Sequence, residues 1–327
     1  MSKTATYLEA VREALWEEME ADERVFLLGE DIGVYGGAFK VTQGFLERFG
    51  ASRIIDTPIA EAGIIGAAVG AALMGMRPVV EMQFMDFISC GFDMLTNFAA
   101  KARYRLGASV PIVVRGPGGG LVGGGPFHSQ SVEMYFIKTP GLKVVAPSTA
   151  ADAKLLLKAA IRDPDPVLFI EHKALYRAPA LREALPGPTE VGVLGQAAIR
   201  RAGTDLAIIT YGAMVHRSLE AAEALAADGF SIQVLDLRTL QPLDDAAVVA
   251  AVKACGKVLI VHEDTRTGGL AGELTARIQE QAFEWLDAPV LRLTAPDAPV
   301  PFARGLEEAY YPSAEDIAAK ARWLLKY

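Results

Sequence analysis

Short, continuously apolar runs alternate with helically spaced apolar residues along most of this 327-residue chain. The pattern opens with Leu8, Val11, Leu15 and Met19 at helical spacing and continues with Val25-Phe26-Leu27-Leu28, an apolar run that stops at Gly29. A strand that is apolar on both faces must be covered on both. In a chain that alternates strands with helices, that means a parallel sheet between helical layers. The same reading predicts helices over Ala62–Met76, Phe92–Arg103 and Ala150–Arg162, and strands over Val79–Met82, Ile112–Val114, Val144–Ala146 and Val167–Glu171.

Between Ala178 and Gly195 the periodicity stops and proline and glycine accumulate, notably Pro186-Gly187-Pro188. A second alternating series follows, with strands predicted at Leu206–Thr210, Val234–Leu237, Val258–Val261 and Val290–Leu293 and a helix over Val215–Ala227. The expectation is therefore an α/β chain of two domains, 1–180 and 196–327, joined by a linker at 181–195.

The helix from Glu61 to Met76 is apolar nearly all round and carries Gly63, Gly66, Gly70 and Gly75 among alanines. Each interior glycine costs about 0.5–1 kcal/mol relative to alanine. Close approach of another backbone would offset that, either in a tightly packed core or at a subunit interface. Glu61 opens this helix after Asp56-Thr-Pro-Ile-Ala60, with only small and apolar neighbours. It reads either as a charge complementing the helix dipole or as a pocket carboxylate held for one partner group. Gln83, Phe84 and Phe87 follow the next strand and could line the same pocket.

A formal charge of -8 excludes the broad basic surface that a phosphate backbone requires, so nucleic acid is not an expected partner. The two cysteines, Cys90 and Cys255, belong to no paired motif, and a reducing cytoplasm is the expected location. Met1 to Ala10 has no apolar signal-peptide core, and the apolar run Ala62 to Met76 falls short of the ~20 residues that span a bilayer. None of the four histidines has metal-ligand spacing from another histidine or cysteine.

Gly118-x-Gly120-x-x-Gly123 follows a predicted strand and matches a dinucleotide fingerprint formally. More glycines and Pro126 follow where a helix should begin, so a mobile active-site loop is the preferred reading. His128 ends that loop ahead of Ser129-Gln130-Ser131, where a proton donor could be presented to a substrate.

Taken together, Leu28-Gly-Glu-Asp31, Gly36-Gly37, Asp56-Thr-Pro-Ile-Ala-Glu61, Arg77-Pro78, Lys101-Ala-Arg-Tyr-Arg105, His128-Ser-Gln-Ser131, Pro140-Gly-Leu-Lys-Val-Val145, Asp236-Leu-Arg-Thr239 and Leu243-Asp244 resemble the beta subunit of the 2-oxo acid dehydrogenase first component, a transketolase-like family. The resemblance implies a pyrimidine-type thiamine-diphosphate-binding domain followed by a transketolase C-terminal-like domain. It implies Glu61 and His128 as catalytic residues, Glu61 bonding a ring nitrogen of the cofactor's aminopyrimidine and His128 assisting the substrate or the incoming lipoyl group. Ile59, Gln83 and Phe87 would contact the pyrimidine. The chain has no Gly-Asp-Gly sequence of the kind that begins the family's magnesium and diphosphate motif. Thiamine diphosphate would accordingly be shared with an alpha subunit that binds the magnesium, in an assembly of two alpha and two beta chains serving a lipoylated dihydrolipoyl acyltransferase core. Potassium against the carbonyls of Ile112, Ala160 and Asp163 is a further implied feature. His128-Ser-Gln-Ser131 and Val261–Gly269 look like branched-chain enzymes and Leu291–Phe302 like bacterial pyruvate enzymes, which favours branched-chain 2-oxo acids over pyruvate or acetoin. A non-catalytic α/β binding protein is the contrasting reading, against which stand Glu61 and His128 together.

Overall fold

The computed structural model describes residues 4–327, which divide into two compact units. One comprises the chain to Gly118 plus Tyr135–Leu194, the other Gly119–Met134 plus Gly195–Tyr327.

In the first unit six parallel strands, β1 (Val25–Gly29), β2 (Ile54–Asp56), β3 (Arg77–Glu81), β4 (Val113–Gly118), β5 (Lys143–Val145) and β6 (Val167–His172), lie in the order β5-β6-β4-β3-β1-β2. Helices α1 (Tyr7–Ala21), α2 (Glu61–Leu73) and α3 (Ala150–Arg162) accompany them. Helix α1 starts where Thr6 and Glu9 close a reciprocal capping box, and α3 starts where Thr149 accepts from Asp152 N–H. Along the facing sides of α1 and α3, Lys154 and Lys158 are buried against Glu13, Glu17 and Glu18.

One expectation changes. Helix Phe92–Arg103 is not continuous. The chain makes a tight turn over Met85–Gly91, a wide turn over Met94–Ala99 in which Ala100 N–H donates to Leu95 O at 2.9 Å, and a short helix Ala102–Leu106. The segment 181–194, which leads from one unit to the other in sequence, is hydrogen-bonded onto the first unit. Lys154 Nζ donates to Pro186 O at 2.8 Å, Gly192 N–H to Leu155 O at 3.0 Å, and Ala151 N–H to Glu183 Oε1 at 2.6 Å. Proline and glycine supply the turns there, and the buried lysines supply the docking that composition does not reveal.

The second unit holds β7 (Ala198–Arg201), β8 (Leu206–Thr210), β9 (Ile232–Asp236), β10 (Val258–Thr265) and β11 (Leu291–Ala295) in the order β11-β10-β8-β9-β7. They are parallel except for β7, which runs antiparallel at the edge. Helices α4 (Met214–Ala227), α5 (Asp245–Cys255), α6 (Leu270–Ala282), α7 (Arg304–Tyr310) and α8 (Ala314–Leu325) complete it. Among the described residues no helix is long and apolar enough to cross a membrane.

The core of the first sheet contains charge. Arg115 on β4, 1% exposed, donates through Nε and Nη2 to Glu171 on β6 and through Nη1 to Glu81 on β3, and Tyr176 Oη donates to the same Glu171. Burial pushes the Glu81 carboxyl up, and Arg115 pulls it back. Removing one partner of such a group leaves the others buried without compensation, at about 3–5 kcal/mol. We expect Arg115→Met to lower unfolding free energy by about that much in urea titrations, and adding Glu81→Gln and Glu171→Gln to recover part of it.

Candidate active site

In an open parallel sheet, ligands bind beyond the carboxyl ends of the strands where the winding direction reverses. Here the chain steps from β1 outward to β2 and then back across to β3 on the other side of β1. The reversal falls beside β1, whose carboxyl end leads into Glu30 and Asp31, with Thr57 and Ile59 beyond β2 and Gln83 and Phe87 beyond β3. The expected residues Ile59, Glu61, Gln83 and Phe87 thus all follow the strands that flank the switch point.

Local contacts set their positions. Asp56 Oδ1 accepts from Gly33 N–H at 2.6 Å, and Thr57 N–H donates to Gly29 O at 3.0 Å, tying the chain after β2 to that after β1. Gln83 Nε2 donates to Asp31 Oδ2 at 3.1 Å across the same gap. Glu61 is the first residue of α2, where no side chain caps the helix and its own carboxyl complements the exposed N–H groups. Ile59 is 82% exposed, Phe87 is half-buried, and Phe84 meets Phe87 edge-to-face at 6.1 Å between centroids. The result is an apolar surface beside a half-buried carboxyl group. The buried Glu30, which sequence reasoning placed in a motif without a role, belongs to this cluster. Burial raises its pKa first, and the charges of Glu61 and Asp31 raise it further. Its signal in the sequence was its place directly after the apolar run of β1.

One face of α2 is buried through Ile64, Ile65, Ala68, Val69 and Ala72. Its other face, with Ala62, Gly63, Ala67 and Gly70, lies open and runs on to Leu73 and to Met74, which is 85% exposed. Within this chain the helix is therefore not wholly a core element.

His128 stands in the second unit, half-buried, at the end of a tight turn over Gly125–Phe127. The loop before it, expected to be mobile, is tied down at several backbone groups. Tyr311 Oη donates to Ser129 O at 3.2 Å, Gly119 N–H donates to Gln130 O at 3.3 Å, and Gly120 N–H donates to Glu263 Oε1 at 3.3 Å. Just past His128, the buried Glu133 accepts from Tyr211 Oη. Burial, followed by the charges of Asp264 and Glu263, pushes Glu133 up to about 8. Burial likewise pushes Asp264 up to about 6 and His262 down to about 4.

The carbonyls of Ile112, Ala160 and Asp163 accept from Val167 N–H at 2.9 Å, Asp163 N–H at 3.2 Å and Arg77 Nη1 at 3.3 Å respectively. No cluster of three or more His, Cys, Asp or Glu side chains suited to a metal occurs among the described residues.

The two units correspond to two family models, the transketolase pyrimidine-binding domain over residues 3–179 and the transketolase C-terminal domain over residues 195–317. A solved split-gene transketolase, described as an inactive beta4 tetramer, shares the fold at a TM-score of 0.80 with 22% identity over 99% of each chain. Nearer in sequence is the 2-oxoisovalerate dehydrogenase subunit beta of Bacillus subtilis, 49% identical over 98% of this chain and 99% of the relative. The pyruvate dehydrogenase E1 component subunit beta of the same organism is 44% identical over 98% and 99%. A mitochondrial pyruvate dehydrogenase E1 subunit beta of Arabidopsis thaliana is 43% identical over 98% and 89%. The chain belongs to the family of 2-oxo acid dehydrogenase first-component beta subunits.

The buried groups around Glu133 have a consequence for stability. The folded chain holds the Glu133 proton between its usual 4.5 and about 8, so raising the pH through that window removes protons that folding favours, and stability falls. His262 acts on the acid side, because the folded state prefers it neutral and stability is lost as pH drops from 6.5 toward about 4. Between pH 6.5 and 8 Glu133 is the group of the three that still titrates. We expect the melting temperature to decline across that interval and the decline to flatten in Glu133→Gln, as read by calorimetry at stepped pH.

Proposed function

We propose that this chain is the beta half of a thiamine-diphosphate-dependent 2-oxo acid dehydrogenase, acting on branched-chain 2-oxo acids in preference to pyruvate or acetoin. The supporting observation is the placement of Glu61 at the head of α2 beside Ile59, Gln83 and Phe87, at the switch point of the first sheet. An aminopyrimidine needs a carboxyl group for its ring nitrogen and an apolar face for its plane. The half-buried Glu61 and the exposed Ile59 and half-buried Phe87 fit both needs.

When bound, thiamine diphosphate supplies the electron sink that lets a 2-oxo acid lose carbon dioxide. The chain's own part is to hold and move protons. Glu61 would hold a proton for the pyrimidine ring nitrogen, and Gln83, held by Asp31, would help to bind the same ring. His128 hands a proton to or from the substrate or an incoming lipoyl group. The diphosphate and its magnesium fall to an alpha chain, since no Gly-Asp-Gly sequence occurs here. The open small-residue face of α2, with Leu73 and Met74, suits close packing of another chain's helix in a heterotetramer. Preference for branched-chain substrates rests on His128-Ser-Gln-Ser131 and Val261–Gly269, together with the 49% likeness to a 2-oxoisovalerate dehydrogenase subunit.

Glu61→Gln keeps the shape of the side chain and removes its charge. Reconstituted with its alpha chain, the variant should fold and bind cofactor as the wild type does while turnover falls by about 10²–10⁴. Wild-type turnover in that variant would leave Glu61 as a helix-capping charge and remove the basis of the assignment. In the wild-type assembly, kcat/KM for 3-methyl-2-oxobutanoate should exceed that for pyruvate by about tenfold or more, since a pocket shaped for a branched side chain gains roughly 1–3 kcal/mol per methylene filled. The reverse order would transfer the substrate assignment to pyruvate.

A further inference from the structure

The glycine loop does bind an anion, and the anion belongs to the chain. Leu121 N–H donates to Glu307 Oε1 at 2.9 Å and Gly123 N–H donates to Oε2 of the same carboxylate at 2.8 Å. Leu121 and Gly123 both have left-handed backbone, with φ of 69° and 74°, which turns their N–H groups into one concavity of the kind that holds anions. Glu307, on α7, is 2% exposed.

The same stretch of chain closes on the loop at two more points. A side chain at Gly120 would lie 2.1 Å from Tyr311 Oη, and one at Gly125 would lie 2.4 Å from the Phe302 ring. Tyr311 also donates to Ser129 O, the residue after His128. The glycines therefore admit the 302–311 segment as well as the turns, and the buried carboxylate accepts from two part-buried backbone donors of the loop.

We propose that Glu307 is a positioning residue, whose carboxylate fills the anion nest of the 118–126 loop and thereby fixes the path of the chain that presents His128. The catalytic half of this inference rests on the role given to His128 above. The hold of Glu307 on the loop rests on its two hydrogen bonds and not on that role.

The test uses the assembled alpha–beta enzyme. In Glu307→Ala, hydrogen–deuterium exchange of the peptide containing Leu121 and Gly123 should accelerate by about 10- to 100-fold, the equilibrium weight of hydrogen bonds to a charged acceptor. Formate in the millimolar range should slow it again, because an open cavity of about 460 Å³ lined by Leu121, Gly123, Arg217 and Arg304 adjoins the carboxylate. Formate should also restore part of the lost kcat/KM. In a His128→Ala background, Glu307→Ala should cost less than about twofold further, because both changes remove one function. Should Glu307→Ala not fold, Glu307→Gln keeps one acceptor oxygen and should release one of the two amides. Unchanged exchange in both variants would overturn the clamp, and losses that multiply with His128→Ala would overturn its action through His128. Wild-type kcat/KM in His128→Ala alone would overturn the role of His128 and the purpose of the clamp with it, while the exchange data would still judge the clamp itself.

Discussion

The first unit is organised around one guanidinium. Val79, Val80, Val113, Val114, Val167 and Leu168 are interchangeable in size and polarity, so an all-apolar parallel sheet discriminates poorly between neighbouring registers. Arg115 removes that degeneracy. With Glu81 opposite it on β3 and Glu171 two residues further along β6, a slip of either strand would bury one carboxylate without a partner. Buried ion pairs contribute little net stability compared with apolar substitutes, yet breaking one is costly, which makes them good determinants of alignment. The alignment matters because residues proposed above to carry or support the chemistry begin two or three positions later. Gln83 follows Glu81 by two, and the glycine loop opens at Gly118, three residues after Arg115.

Helix α2 shows a second use of buried and open surface. Its inner face is aliphatic and closes the core, whereas the outer face is made of residues that give almost nothing to packing in the isolated chain. Each glycine there costs about 0.5–1 kcal/mol of helix stability. Under the assembly proposed above, that cost is offset when another backbone reaches the helix. Glu61 then sits at the dipole-positive end of an element that is finished only on assembly. Placing the carboxyl there ties the completeness of the site to the presence of the partner.

How much of this was legible in the sequence depended on whether the signal was local. Leu206–Thr210 and Ala150–Arg162 were read to the residue, since each is a single apolar pattern with a cap or turn at both ends. The strand Ile54–Asp56 was not read at all, being three residues long with only Ile54 buried. Phe92–Arg103 has helical spacing of apolar residues, but close packing of Gly91 on Ile65 and the wide turn at Leu95 break its path, and neither is visible along the chain. Gln83 and Phe87 could be named because they follow a strong strand and Glu61 because it opens an apolar helix, whereas Ile59 came from the family resemblance alone. Arg115 carries no signal in the sequence, since nothing adjacent to it announces carboxylates 34 and 56 residues away.

The glycine loop is the sharpest case of that non-locality. A Gly-x-Gly-x-x-Gly spacing describes a backbone able to turn its N–H groups toward a negative charge, and it says nothing about where the charge comes from. In a dinucleotide site the following helix N-terminus and an acidic residue downstream decide in favour of a cofactor. Here Pro126 and a tight turn stand where the helix would begin, and the charge arrives from Glu307, 186 residues beyond Leu121 and 184 beyond Gly123. A loop whose donors are already satisfied has no use for an external phosphate. Its glycines are better understood by what they let approach, namely Tyr311 at Gly120 and Phe302 at Gly125, than by the conformations they allow. The spacing reads as a mobile active-site loop, yet two of its amides are held by Glu307, because satisfaction of backbone groups is a property of the fold and not of the segment.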